Sequence, residues 1–204
     1  MANYWIIFQA FRLIGVFLAL FSASTSIANV NSIEFRFSLL SALSKNIEVI
    51  EFYEENEFKP IWVGGERSAR ERRSYFFKEL ENTSKHALPN LRNDADYLKN
   101  QLREARTATE LGLIEALTTL KFLDYSSSLQ TGILKPASVD KEIVRKVPYR
   151  SKGAYLKTFL LVKPREFFKG LPPQSKQYSL LLSEKQRLEK IIAQGGWYSK
   201  LPTE

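Results

Sequence analysis

A mostly α-helical fold, about six or seven helices around one core, is what this 204-residue sequence predicts, and three observations carry the prediction. Apolar residues recur at three- and four-residue spacing over most of the chain, the period at which one face of an α-helix returns. No stretch longer than a few residues alternates apolar and polar with the period of a half-buried strand, and no internal repeat of about 20 to 50 residues is present. Proline and glycine clusters separate the periodic stretches, as turns between helices do. Trp62 and Trp197 are the large apolar fillers of such a core.

The first 28 residues read as an export segment. Arg12 gives a positive flank, Leu13 to Phe21 form the apolar run, and Ser26-Ile27-Ala28 places small residues where a signal peptidase reads, so cleavage is expected after Ala28. The alternative is an uncleaved membrane anchor, because Tyr4 to Phe21 is apolar apart from Gln9 and Arg12. Either way the remainder, residues 29–204, is expected as one helical domain on the far side of a membrane.

From Ile33 to Phe58, Leu39, Leu40, Leu43, Ile47 and Ile50 form a helical stripe, with Glu48, Glu51, Glu54 and Glu55 on a solvated outer face. Lys59-Pro60 is expected to stop this helix, since proline disfavours α geometry in the residue before it. Ile61, Trp62 and Val63 then run into Gly64-Gly65, an apolar anchor followed by a turn. Ser68-Ala69-Arg70-Glu71 has capping-box spacing and predicts a second helix, whose buried side is Tyr75, Phe76 and Leu80. Arg67, Arg70, Arg72 and Arg73 crowd its first turns, the wrong sign for the helix dipole. They are candidates for an anionic contact, against the plainer reading of a solvated arginine face.

His86 sits in the loop SKHALPNL with Pro89; it is the one histidine of the chain and has no second histidine to share a metal or a proton with. Asp94 to Ala105 is a short helix bearing Tyr97, Leu98 and Leu102. Thr107-Ala108-Thr109-Glu110 is the clearest helix start, leading into Leu113, Ile114, Leu117, Leu120 and Leu123 and ending before Gly132, with Leu134-Lys135-Pro136 leaving as an extended segment. Residues 137 to 153 are basic and irregular. Ala154 to Lys169 is helical but must be split by Pro164, and Gly170-Leu171-Pro172-Pro173 is a hard stop. The last helix spans about Ser175 to Gln194, with Tyr178, Leu181, Leu182, Leu188, Ile191 and Ile192 expected to face the core and Gly195 as its C-cap.

Charge and composition then narrow the chemistry. The net charge is +8, and the excess lies late: Lys and Arg number 14 against 15 Asp and Glu up to residue 120, and 16 against 7 beyond it. That end should prefer anionic partners such as wall polymers or anionic lipid. There is no cysteine, which rules out a thiol nucleophile, a disulfide framework and a Cys/His zinc site. No GxSxG, SxxK or GxxxxGK[ST] pattern occurs, so no catalytic, metal or cofactor residue is assigned, although two-carboxylate chemistry stays open. Nucleic acid would use the basic end with Tyr149, Tyr155, Phe159, Phe167 and Phe168, but an exported protein seldom meets it.

Five stretches occur together in order: Phe52-Tyr53 through Pro60-Ile61-Trp62, Lys85-His86-Ala87-Leu88-Pro89, Glu110-Leu111 through Gly132 and Pro136, Leu171-Pro172-Pro173 to Tyr178, and Gly195-Gly196-Trp197 through Pro202. The set resembles the N-terminal scaffold domain of the large bacterial murein L,D-transpeptidases, over about residues 45 to 202; Tyr198 departs from it, where proline is expected. The resemblance implies a helical periplasmic domain of a peptidoglycan cross-linking enzyme. It also implies a peptidoglycan-binding module and a catalytic domain, with a cysteine thiolate and a nearby histidine, further along. His86 matches a scaffold position and not that histidine. The expectation is therefore a non-catalytic wall-associated scaffold of a shortened transpeptidase, partnered by peptidoglycan or a cell-wall enzyme. The competing expectation is a membrane-anchored helical protein meeting anionic lipid or wall polymer through a basic face.

Overall fold

The computed structural model describes residues 32–134, 142 and 149–196. The choice between signal and anchor in residues 1–28 lies outside the described residues, as do Pro136, Trp197 and Pro202. The described chain is helical throughout, with no strand: α1 (Ile33–Leu43), α2 (Ile47–Glu55), α3 (Arg67–Glu81), a 3-10 turn (Thr83–His86), α4 (Arg92–Glu104), α5 (Ala108–Thr131), α6 (Lys152–Leu161), α7 (Pro164–Gly170) and α8 (Lys176–Ala193). None of these helices is long and apolar enough to cross a membrane.

The axis of the fold is α5. Its start is the expected capping box: Thr107 Oγ1 accepts from the Glu110 N–H at 3.2 Å, and the Glu110 carboxylate accepts from the Thr107 N–H at 2.9 Å. Beyond that turn, Ile114, Ala116, Thr118, Phe122, Leu123, Tyr125 and Leu129 are buried on several sides, as befits a helix with no long polar face. α1 crosses α5 at Gly112, where an added Cβ would stand 2.4 Å from the Phe35 carbonyl oxygen. Ser38 pins the same crossing by donating to the Thr109 carbonyl at 2.8 Å. α2 packs on α6, α3 lies between α4 and α7, and α4 and α6 flank α5.

Trp62 is fully buried where these layers meet, as expected of a core filler. Its ring stacks on Phe159 with centroids 5.4 Å apart and touches Phe76 and Phe122, while Phe122 approaches Phe159 to 4.5 Å and Phe167 to 5.4 Å. Rings in these offset and edge-on geometries each add about 0.5–1.5 kcal/mol beyond the area they bury. Tyr155, Phe159, Phe167 and Phe168 are thus used inside the core and offer no stacking platform for nucleic-acid bases; of that group only Tyr149 is exposed.

Four local expectations are corrected. Residues 33 to 58 form two helices, because the chain turns at Ser44–Asn46 and the Lys152 N–H, beside that turn, binds the Glu48 carboxylate at 2.7 Å. The turn moves the buried stripe from Phe35, Leu39 and Leu43 to Val49, Phe52 and Tyr53, leaving Ile47 exposed. α2 ends at Glu55, well before Pro60, and the stop is made by Glu57 and Phe58, both left-handed with φ of 55° and 57°. The Phe58 N–H closes that turn on the Tyr53 carbonyl at 2.7 Å. α3 starts at Arg67 after Glu66 with no side-chain cap, so Ser68 lies inside the first turn and the expected capping box does not form. Finally, α8 has no buried residue; Leu181 is 71% and Ile192 63% exposed, because the helix rests on the body chiefly at the 3-10 turn.

Pro164 does split the segment after Ala154, sitting at the start of α7. Gly195 also terminates α8 as expected: its φ is 102°, its N–H reaches the Ile192 carbonyl at 3.1 Å, and the Gly196 N–H reaches Ile191 at 2.9 Å, the paired bonds of a Schellman motif.

The α1–α5 crossing yields a direct check. Gly112→Ala forces a methyl against backbone, so it should lower stability by about 1–3 kcal/mol. Gly65→Ala, where an added Cβ meets nothing within 4 Å, should be nearly neutral in the same thermal melt.

Candidate functional site

Two polar assemblies stand out. One lies inside the fold, where Glu115 on α5 is fully buried. One carboxylate oxygen accepts from Tyr53 Oη at 2.7 Å and the Ile61 N–H at 2.6 Å, and the other from the Trp62 and Val63 N–H groups at 3.0 and 2.9 Å. Behind Tyr53 the chain of hydroxyls continues, since Tyr53 Oη lies 2.7 Å from Thr119 Oγ1, which accepts from Trp62 Nε1 at 2.9 Å. The carbonyls of the same backbone point the other way: Arg72 Nε donates to Ile61 O at 2.9 Å, and Arg73 donates to Trp62 O and, at 3.2 Å, to Gly64 O. Residues 61–64 are therefore clamped between an acid on one side and two guanidinium groups on the other.

Burial pushes the Glu115 carboxyl above the usual carboxylate range, and the donors from Ile61, Tyr53, Val63 and Trp62 pull it back. Burial also draws both half-buried arginines down, while Glu115 supports their charge. With four donors already on its two oxygens, Glu115 has no lone pair free for a substrate, so this assembly is structural. Among the described residues no cluster of three His, Asp or Glu side chains is placed to hold a metal.

The second assembly opens to solvent where α8 meets the body. His86 Nδ1 and Tyr178 Oη lie 2.7 Å apart, and the two rings are nearly parallel at 6.2 Å between centroids. A cleft of about 520 Å³ lies on one side of this pair, lined by Gly132, Thr131, Gln130, Pro172 and Gln174. A second, of about 490 Å³, lies on the other side, between α3, the 3-10 turn, α7 and α8. Burial, with Lys85 and Lys185 close by, holds the His86 imidazole below its ordinary value.

The motif residues thus gather at two places. Phe52, Tyr53, Pro60 and Trp62 belong to the Glu115 centre and its approach, with Pro60 only half-buried. His86, Gly132, Pro172 and Tyr178 come from four segments to line the larger cleft, while the Pro89 carbonyl holds the 3-10 turn through Thr83 Oγ1 at 2.7 Å. Gly195 and Gly196 close α8. The four arginines do not act together: Arg67 and Arg70 are exposed, whereas Arg72 and Arg73 serve the backbone of 61–64. Glu115 went unsingled in the sequence; the signal was a lone acid in the run LGLIEALTTL, followed by paired threonines.

The described residues form a helical body stabilised by an internal acid, with two clefts open to solvent at one end. The family model named Scaffold domain matches residues 48–184, and the chain belongs to this family, the N-terminal scaffold domain of L,D-transpeptidases. No curated protein and no solved structure matches the chain. The matched span contains both assemblies.

The His86 contact makes α8 docking sensitive to acid. The folded imidazole lies below the ordinary 6.5, so its contribution is present above that value and lost as pH falls through the depressed one, when a third positive charge joins Lys85 and Lys185. Limited proteolysis across residues 172–175 should be faster at pH 5 than at pH 7.5, and His86→Phe should abolish that difference.

Proposed function

We propose that this protein is an exported, non-catalytic scaffold that associates with peptidoglycan and serves its cross-linking and remodelling in the periplasm. The observation that carries the reading is the family match over residues 48–184. Three features of the chain support it. The first 28 residues have the make-up of an export signal, the basic excess beyond residue 120 suits an anionic wall polymer, and the lack of cysteine leaves thiolate transpeptidation to a catalytic domain outside these 204 residues. The scaffold's part is to hold the wall, or a wall enzyme, in place.

The alternative, a membrane-anchored protein meeting anionic lipid, is favoured by the apolar Tyr4 to Phe21 run and by exposed Arg67 and Arg70. Intact mass separates the two, since loss of residues 1–28 matches the secreted scaffold and their retention matches the anchor.

Purified protein should sediment with murein sacculi at low ionic strength and be released by about 0.5 M salt, where charges several ångströms apart are screened. Failure to sediment at low salt contradicts the wall-associated reading.

A further inference from the structure

The smaller cleft beside His86 carries an unbalanced set of charges. Lys78 on α3, Lys85 on the 3-10 turn, and Arg165 and Lys169 on α7 all line it. None of the four cationic groups, all of them exposed, takes part in an ion pair among the described residues, although seven such pairs form elsewhere. The one acid in the lining, Glu79, accepts from buried Tyr125 Oη at 3.0 Å. Four positive charges therefore line one concave space with one carboxylate among them, a local field that favours an anionic ligand.

The shape narrows what that anion is. Arg165 and Lys169 stand four residues apart on one face of α7, about 6 Å along the helix, and the other two cations come from different elements. Charges spread in this way match separate anionic groups better than a single phosphate. Between them the wall is apolar and aromatic, formed by Phe168, Pro172, Tyr178 and Leu182. A concave site of about 490 Å³ walled by helices on several sides admits a chain segment and not a flat bilayer.

We propose that this cleft binds an acidic peptide, a short segment whose carboxylates pair with Lys78, Lys85, Arg165 and Lys169 while an apolar side chain lies on Phe168 and Leu182. Because Tyr178 and Leu182 belong to α8, the bound segment also ties that helix to the body. The inference gives the wall-associated reading a site, and it rests on that reading only for the source of the peptide.

The test titrates the purified chain with acetyl-Glu-Leu-Glu-amide by calorimetry at low salt. The diglutamine counterpart, inorganic phosphate and phosphatidylglycerol vesicles serve as the other arms. Saturable binding of the diacid is expected, at least ~10-fold weaker for the diglutamine peptide and for phosphate. The double variant Arg165→Gln, Lys169→Gln should lose ~10-fold or more in affinity, a factor that corresponds to about 1.4 kcal/mol. Lys190→Gln, on the exposed part of α8, should bind as the parent does. Far-ultraviolet dichroism shows that each variant is folded. Equal binding of the diglutamine peptide, tighter binding to vesicles than to the diacid, an unchanged double variant, or no binding at all overturns the proposal. Sedimentation with sacculi without peptide binding sinks the cleft assignment alone, and peptide binding without sedimentation sinks the wall-associated reading alone.

Discussion

Glu115 has no exposed surface, and both its oxygens are filled by donors that lie 52 to 62 residues away in the chain. Burying an ionised carboxylate costs several kcal/mol, and a hydrogen bond to a charged group contributes about 1.5–3 kcal/mol, so the four bonds together are of the size needed to offset the burial. Those bonds fix residues 61–63 on α5. The rest follows from that placement. Trp62 is swung into the aromatic core, the carbonyls of 61–64 are turned outward to Arg72 and Arg73, and α3 is thereby held to the same segment. The left-handed pair Glu57 and Phe58, each costing about 1 kcal/mol or more, is the bend that delivers the chain to the acid.

The other end of the molecule is built on the opposite plan. α8 has no buried residue and meets the body through its first turns, at a histidine–tyrosine contact between two clefts. A firm centre with a lightly attached helix is a reasonable design for a scaffold: the centre keeps its shape, and the attached element can change position at small free-energy cost. Beside that attachment lie Lys78, Lys85, Arg165 and Lys169, which form no ion pair among the described residues, so the place where α8 is held is also where an anion would be felt.

What could be read in the sequence was local. The Thr107 capping box, the Pro164 break and the Gly195 terminus depend on neighbours within a few residues, and all three form as expected. The turn at Ser44–Asn46 was not legible, because Lys152, more than 100 residues later, is what meets it. Glu115 was hidden for the same reason. An acid in a helix is usually solvated, and only the distant 61–63 backbone makes this one an interior group. The α8 stripe shows a further limit: periodicity tells which face would be buried, and not whether anything stands opposite it. The motif residues of the candidate site were named by resemblance, but no spacing could show that His86, Gly132, Pro172 and Tyr178 surround one cleft.

Amide hydrogen exchange on Glu115→Gln tests the dependence on the buried acid most directly. Gln keeps the size of the side chain but offers one acceptor oxygen and turns an NH₂ toward backbone donors. Amides of Ile61, Trp62 and Val63 should therefore lose ~10- to 100-fold in protection, with a smaller change at α4, which supplies none of the acid's donors. Equal exchange in parent and variant at those three amides, or a uniform change across α4 and residues 61–63 alike, would show that the segment is held by something other than Glu115.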